Sequence, residues 1–332
     1  MCKSTFVYHS LQPATINKKW SGRVFSVKKG TFYQMSFSSI ASKKSLCFVN
    51  FYNSERKKLT ADFCSEIRKS NKLLDHTYFF RTFSNVAFAK VVLENQGSKI
   101  LRVKNITVEE KEYQDIDVWI ASESRKIPVF PLLKIEKKHL TKTAELLKTG
   151  GKLKIVFLGD SIVNDMANSF FDALLRRVYP AVKIEVISSV RNTTGCWYFK
   201  HGNRVKKLVI DYSPDLVIIG GISHRNDVSS IKSVIEKIRR YTDVEIVVTN
   251  GAFGKTGNPW KQTRSNTEDE FSVKLKKLSD DMKFMFFDTA KFCRQYIHQS
   301  GKPYSFFLRD NIHPNHYGRF ILSYLLFYLL SP

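Results

Sequence analysis

Residues Lys154–Asp165 read KIVFLGDSIVND. A continuous strand pattern over Lys154–Leu158 runs through Gly159-Asp160-Ser161 directly into a helical pattern near Val163–Val178. A strand with one face in water alternates polar and apolar residues. One without alternation is covered on both faces, as in a parallel sheet flanked by helices. The same rhythm continues downstream. Lys183–Ser188, Leu216–Ile219, Glu245–Thr249 and Lys283–Phe287 read as further strands, with helical stretches between them, notably Val228–Arg240 and Glu268–Leu278. Alternation of this kind predicts an α/β domain, a three-layer α/β/α arrangement around a parallel sheet over residues 151–332.

Working outward, the chain before Gly151 has a different period. Short runs rich in Phe, Tyr, Val and Ile cover Arg23–Val27, Phe32–Ser38, Leu46–Tyr52, Thr77–Phe83, Ala87–Leu93 and Ile100–Val108, with Lys29-Gly30 and Asn95-Gln96-Gly97 as turns. Several short strands at such spacing predict an antiparallel β-sandwich over residues 1–112. Residues 113–150 read as a linker. IPVFPLL (Ile127–Leu133) should be extended around its two prolines, and KKHLTKTAELLKTGG (Lys137–Gly151) holds a short helix stopped by Gly150 and Gly151. The strand pattern of VKKGTFYQMSF (Val27–Phe37) and of FFRTFSNVAFAKVVLENQGSKILRVKNITVEE (Phe79–Glu110) resembles the carbohydrate-binding jelly rolls attached to glycan-active enzymes. That resemblance implies that Trp20, Tyr33 or Tyr52 stacks on sugars; the same aromatics also suit a sandwich core.

In a parallel sheet, active sites collect beyond the C-terminal ends of the strands. Ser161 stands there, where backbone amides free at a helix start can hold a developing oxyanion. Gly-Asp-Ser alone also suits a turn and a helix cap. Near the C-terminus, RDNIHPNHYGRFIL (Arg309–Leu322) puts Asp310 and His313 three residues apart on a loop before the last helix. A serine hydroxyl needs a base to take its proton, and a carboxylate on the far nitrogen of a histidine fixes its tautomer. Asp310 and His313 equally suit helix capping. His316 is a competing base without a carboxylate at that spacing.

Together, in this order and on this scaffold, the two segments resemble the first and last sequence blocks of the SGNH/GDSL hydrolases, esterases and acyltransferases on a flavodoxin-like α/β/α fold. The resemblance runs from Lys152 to the C-terminus. It implies Ser161 as nucleophile, His313 as base and Asp310 as its partner. The chain carries no G-x-S-x-G elbow of the α/β-hydrolases. The family's oxyanion-hole glycine matches Gly195 in SSVRNTTGCWYF (Ser188–Phe199). Its third block, Gly-x-Asn-Asp, departs here: LVIIGGISHRND (Leu216–Asp227) puts Ser223 where asparagine stands, with Asn226 three residues later. The Ser223 hydroxyl can still donate one hydrogen bond, and His224 and Asn226 are candidate substrate contacts. The expected activity is removal of O-acyl groups, acetyl first, from a glycan. The rivals are an O-acyltransferase on the same site, an inert glycan-binding protein, and, third, a nucleic-acid binder.

The 54 Lys and Arg residues against 30 Asp and Glu give a net charge of +24, spread over both halves. Such a surface favours an acidic glycan or another anionic surface, and it also suits a plain lysine-rich exterior. No zinc-finger spacing, recognition helix or RNA-binding signature singles out nucleic acid. No metal, phosphate-loop or dinucleotide motif is present, so no cofactor is expected. The five cysteines (2, 47, 64, 196 and 293) are scattered without a C-x-x-C pair and read as free thiols. The N-terminal stretch has no apolar signal core, and Phe320–Leu330 is too short for a membrane span, which leaves the cytoplasm as the default location.

Overall fold

A computed structural model describes residues 5–7, 14–16, 18–95, 101–131, 133, 135–253 and 270–332. The chain divides into two compact units, Met1–Ser122 and Glu123–Pro332.

The first unit holds β1 (Thr5–Val7), β2 (Ala14–Thr15), β3 (Lys19–Ser21), β4 (Phe25–Ser26), β5 (Phe32–Ala41), β6 (Ser45–Tyr52), β7 (Lys58–Ile67), β8 (Ser70–Arg81), β9 (Phe88–Asn95) and β10 (Leu101–Lys111), then all but the last two residues of helix α1 (Tyr113–Ser124). One sheet runs β1-β10-β5-β8, with β2 on β10. The other runs β3-β9-β6-β7, with β4 on β9; every pairing is antiparallel. Strand β6 shows why it forms: Ser45, Cys47, Val49 and Phe51 are buried while the residues between them are half-buried. The core lies between the sheets, where Phe51 of β6 meets Phe80 of β8 (6.1 Å between ring centres) and the Cys47 Sγ lies 3.9 Å from the Met35 Sδ of β5.

Strand β7 is an element that the pattern of apolar residues did not reveal. Its sequence, KLTADFCSEI, carries two acidic residues, and its pairing with β6 shifts register twice. A bulge puts two residues opposite one and breaks the period of two on which such a reading depends. Of the candidate sugar-stacking aromatics, Tyr33 belongs to the core. It is 1% exposed, and its hydroxyl accepts from the Lys28 amide. Trp20 and Tyr52 are half-buried. Helix α1 also went unread, since only Ile116 and Ile120 mark its buried side.

The second unit begins with α2 (Thr141–Thr149) and continues through β11 (Gly151–Gly159), α3 (Ser161–Ala167), α4 (Phe171–Val178), β12 (Val182–Val190), α5 (Cys196–Phe199), α6 (Arg204–Leu208), β13 (Leu216–Gly220), α7 (Val228–Arg239), β14 (Glu245–Thr249), α8 (Glu270–Met282), β15 (Met285–Phe287), α9 (Thr289–Gln299) and α10 (His316–Leu330). Residues 268 and 269, expected to start the α8 helix, lie outside the described residues. The sheet is parallel throughout, in the order β12-β11-β13-β14-β15. That is the doubly wound flavodoxin-type order 2-1-3-4-5.

Strand β11 is apolar on both faces for a visible reason. Val156 and Leu158 pack with α5, α7 and α8 through Phe199, Ile231 and Leu275, whereas Phe157 turns the other way onto Phe171 of α4. The single helix expected over Val163–Val178 is two helices. The Asn168 amide nitrogen bonds back to the Asn164 carbonyl and the Ser169 hydroxyl to that of Met166, so side chains take over the carbonyls of the last turn and end α3. Helix α10 is buried nearly all round, packed against α3, α4 and α9.

Candidate active site

Strand β11 ends at Gly159, next to β12 on one side and β13 on the other. This is the switch point of the sheet, where the loops that follow diverge and leave a crevice. Asp160 caps α3 there. It is fully buried, its Oδ1 accepts from the Ile162 amide (2.9 Å), and its Oδ2 accepts from the amides of Ile222 and Ser223 (2.8 Å each). One carboxylate thus ties the β11 turn to the loop after β13. Gly221 makes this approach possible. Its φ is +111°, and a Cβ on it would stand 2.2 Å from the Asp160 Oδ1. Ser161 follows as the first residue of α3.

Asp310 and His313 come from a short loop before α10, closed by a bridge between Leu308 and Pro314 and by the Arg309 amide donating to the His313 carbonyl (3.0 Å). Within it, Asp310 Oδ1 accepts from the amides of Ile312 (2.9 Å) and His313 (2.8 Å). The His313 ring puts Nδ1 2.8 Å from the Asp310 Oδ2 and Nε2 2.8 Å from the Ser161 Oγ. Burial raises the Asp310 pKa, but hydrogen bonds from the His313 side chain and from the two amides outweigh it and hold the group well below the usual carboxylate range. An ionised carboxylate only accepts, so Nδ1 carries the ring proton and Nε2 is left to accept from the Ser161 hydroxyl. Neither Asp310 nor His313 caps α10. That cap is Asn315, whose Oδ1 accepts from the amides of Tyr317 and Gly318.

The loop is anchored from beneath by a pair that the sequence reading did not single out. Arg309 donates to both carboxylate oxygens of Asp165 (2.9 and 3.0 Å) and to the Pro314 carbonyl (2.6 Å). A forked pair of this kind fixes geometry as well as charge. The available signal was Asp165 itself, a charge within the strongly apolar start of a helix. A buried charge needs a partner.

Gly195 stands at the start of α5, with the Ser223 carbonyl so near that a Cβ would lie 2.5 Å from it. The loop after β12 is thereby pressed against the loop after β13, and the Trp197 indole nitrogen bonds the same carbonyl (2.9 Å). Among the described residues the Gly195 amide donates no hydrogen bond. The Ser223 amide is used by Asp160, leaving its hydroxyl as the remaining donor. His224, a candidate substrate contact, lies beneath its loop. It is 2% exposed, its Nδ1 accepts from the Cys196 amide (3.4 Å), and burial lowers its pKa. Asn226 is exposed in a left-handed conformation (φ +58°). His316 does find a carboxylate, Glu123 at 3.6 Å, from far away in sequence, while the Ser161 hydroxyl is bonded to His313.

Among the described residues no cluster of side chains is suited to a metal, and no helix is long and apolar enough to cross a membrane. Cys47, Cys64, Cys196 and Cys293 are buried free thiols, and Cys2 lies outside the described residues.

No family model and no curated protein matches the chain. Among solved structures it is similar to a two-domain esterase active on acetylated mannans, co-crystallised with mannopentaose. That match has 14% identity and a TM-score of 0.48, and covers 59% of this chain and 57% of the other. It is also similar to an acetyl xylan esterase (18% identity, TM-score 0.42, covering 52% of this chain and 98% of the other). A family two carbohydrate esterase from Cellvibrio japonicus matches over 98% of this chain and 96% of its own, at 10% identity and a TM-score of 0.33. The chain thus spans little more than half the length of the mannan esterase. The functional reading rests on the geometry above.

Proposed function

We propose that the chain is a serine esterase of the SGNH type that removes O-acyl groups, acetyl first, from a saccharide. The observation that carries this reading is the continuous set of hydrogen bonds from the Ser161 Oγ through the His313 ring to Asp310. In the first step His313 takes the hydroxyl proton on Nε2 as Ser161 attacks the ester carbonyl, and Asp310 stabilises the imidazolium. The oxyanion lies against the amides of Ser161 and Gly195 and the hydroxyl of Ser223. His313 then protonates the departing sugar oxygen. Water activated by the same nitrogen releases the acid from Ser161. The saccharide part of the reading comes from the first unit, whose strand pattern resembles carbohydrate-binding jelly rolls.

Ser223, in place of the family's asparagine, favours a second reading: a glycan-binding protein that has lost turnover. Hydrolysis of p-nitrophenyl acetate by the wild type and by Ser161→Ala separates the two. The esterase reading expects the wild-type rate to fall by at least about a thousandfold in the variant, with circular dichroism unchanged. Equal rates in both would remove Ser161 as nucleophile, and no turnover in either would favour the binding protein.

A further inference from the structure

Beside Ser161 lies a group of cations and rings that this mechanism does not use. Arg191 follows β12, and its amide donates to the Gly159 carbonyl (2.9 Å), two residues before the serine. Its guanidinium lies 4.8 Å from the centre of the Tyr198 ring, and that of Arg204 lies 3.7 Å from the same ring. Arg225, two residues after Ser223, lies 4.7 Å from the centre of the Trp197 ring. The two rings are neighbours at 6.4 Å, and Trp197 is bonded to the Ser223 carbonyl. Arg191 and Arg225 therefore stand in the two loops that hold Gly195 and Ser223, and the two rings and Arg204 in the short helices α5 and α6 that follow the first of them.

None of the three arginines pairs with a carboxylate among the described residues. Elsewhere cations of this unit do find acids, as Arg309 does with Asp165, Lys206 with Asp211 and Lys152 with Glu185. A guanidinium lying over a ring is held by its face. Arg204 also donates from Nη1 to the Tyr198 carbonyl (2.7 Å), whereas the N–H edges of Arg191 and Arg225 engage no hydrogen bond among the described residues. Arg191 and Arg225 are exposed, and Trp197 and Tyr198 are half-buried. Backbone strain supports the same reading. Arg225 and Asn226 both adopt positive φ (55° and 58°), a conformation uncommon outside glycine, and in it the Arg225 side chain lies over Trp197.

We propose that Arg191, Arg204 and Arg225, set around Trp197 and Tyr198, form a subsite for an anionic saccharide. The rings take a sugar face, and the guanidinium edges take a carboxylate, sulfate or phosphate group on that sugar or its neighbour. As an assignment of the substrate class this rests on the esterase reading; as a binding site it stands by itself.

The test is titration calorimetry on the Ser161→Ala protein, so that binding is read apart from turnover. The ligands are tetragalacturonate, a sulfated carrageenan tetrasaccharide, uncharged cellotetraose and a thymidine oligonucleotide of equal charge, all at one salt concentration. The charged saccharides should bind at least about tenfold more tightly than cellotetraose, and adding Arg191→Ala and Arg225→Ala should remove at least about tenfold of that affinity. Lys148→Ala with Lys152→Ala, in α2 and at the N-terminal end of β11, away from the strand ends that carry Ser161, should change it less than about twofold. The tighter of the two charged tetrasaccharides distinguishes a carboxylate from a sulfate preference. Equal affinity for charged and uncharged saccharides, equal losses from the arginine and lysine pairs, or tighter binding of the oligonucleotide would each overturn the proposal. Failure of the esterase reading shows separately, as wild-type p-nitrophenyl acetate turnover that survives Ser161→Ala or is absent.

Discussion

Two aspartates stand one residue before Ser161 and three before His313, and they do opposite work. Asp160 is fully buried and accepts from three backbone amides, one in the first turn of α3 and two in the loop after β13; it holds chain to chain. The Asp310 side chain is 51% exposed and accepts from the His313 ring as well as from two amides of its own loop; it holds a ring in one orientation. The same side chain is thus a structural tie where water is excluded. Where it is half exposed and a histidine is in reach, it orients the ring. The difference lies in the surroundings.

That comparison can be broken by experiment, beginning with its largest consequence. Asp310→Asn should lower kcat on p-nitrophenyl acetate by up to about 10⁴, because an amide on Nδ1 favours the wrong tautomer, while the urea midpoint moves little. A large loss of stability with kcat retained would make Asp310 the structural member of the two. Asp160→Ala should do the reverse in kind. It leaves three amides without their acceptor and should cost about 3 kcal/mol in urea unfolding, with activity falling only as far as the loops loosen. A stability change below about 0.5 kcal/mol would show that water replaces the carboxylate without penalty.

The smallest effect concerns the histidine that lies beneath the same loops. Burial lowers the His224 pKa from its ordinary 6.5, against opposing contributions from Asp160, the Gly220 carbonyl and Asp227. The unfolded chain therefore binds a proton near pH 6.5 that the folded chain refuses, so this contribution to stability is present above that pH and is lost as pH falls. Between pH 7 and pH 5 the wild-type melting temperature should fall more than that of His224→Asn. Parallel curves would mean that His224 is not the titrating group. Asp310 acts in a different window, since its depressed pKa gives stability that is lost only well below pH 4.

How much of this was legible beforehand depended on where each signal lay. The parallel sheet could be read because each strand carries its evidence within five or six residues, and β14 was read at its observed bounds. Ser161, Asp310 and His313 were legible because short motifs hold them next to recognisable element ends. Strand β7 and the break between α3 and α4 were not, because a bulge and two side-chain caps override a period without changing the apolar content. Arg309 and Asp165 were missed as a pair for want of proximity in sequence.

By itself the sequence determined what is local: the alternation of strands and helices in the second unit, the strand-rich first unit, and the glycine–acid–serine turn at a strand end. These follow from side-chain period and backbone preference, which act over a few residues. Tertiary structure alone decided which of two aspartates is buried, that His224 lies beneath its loop, that Asn315 and not Asp310 caps the last helix, and that His313 meets a serine 152 positions away. Those outcomes depend on burial and on hydrogen bonds between distant segments. Such bonds exist only once the sheet has brought its strand ends together.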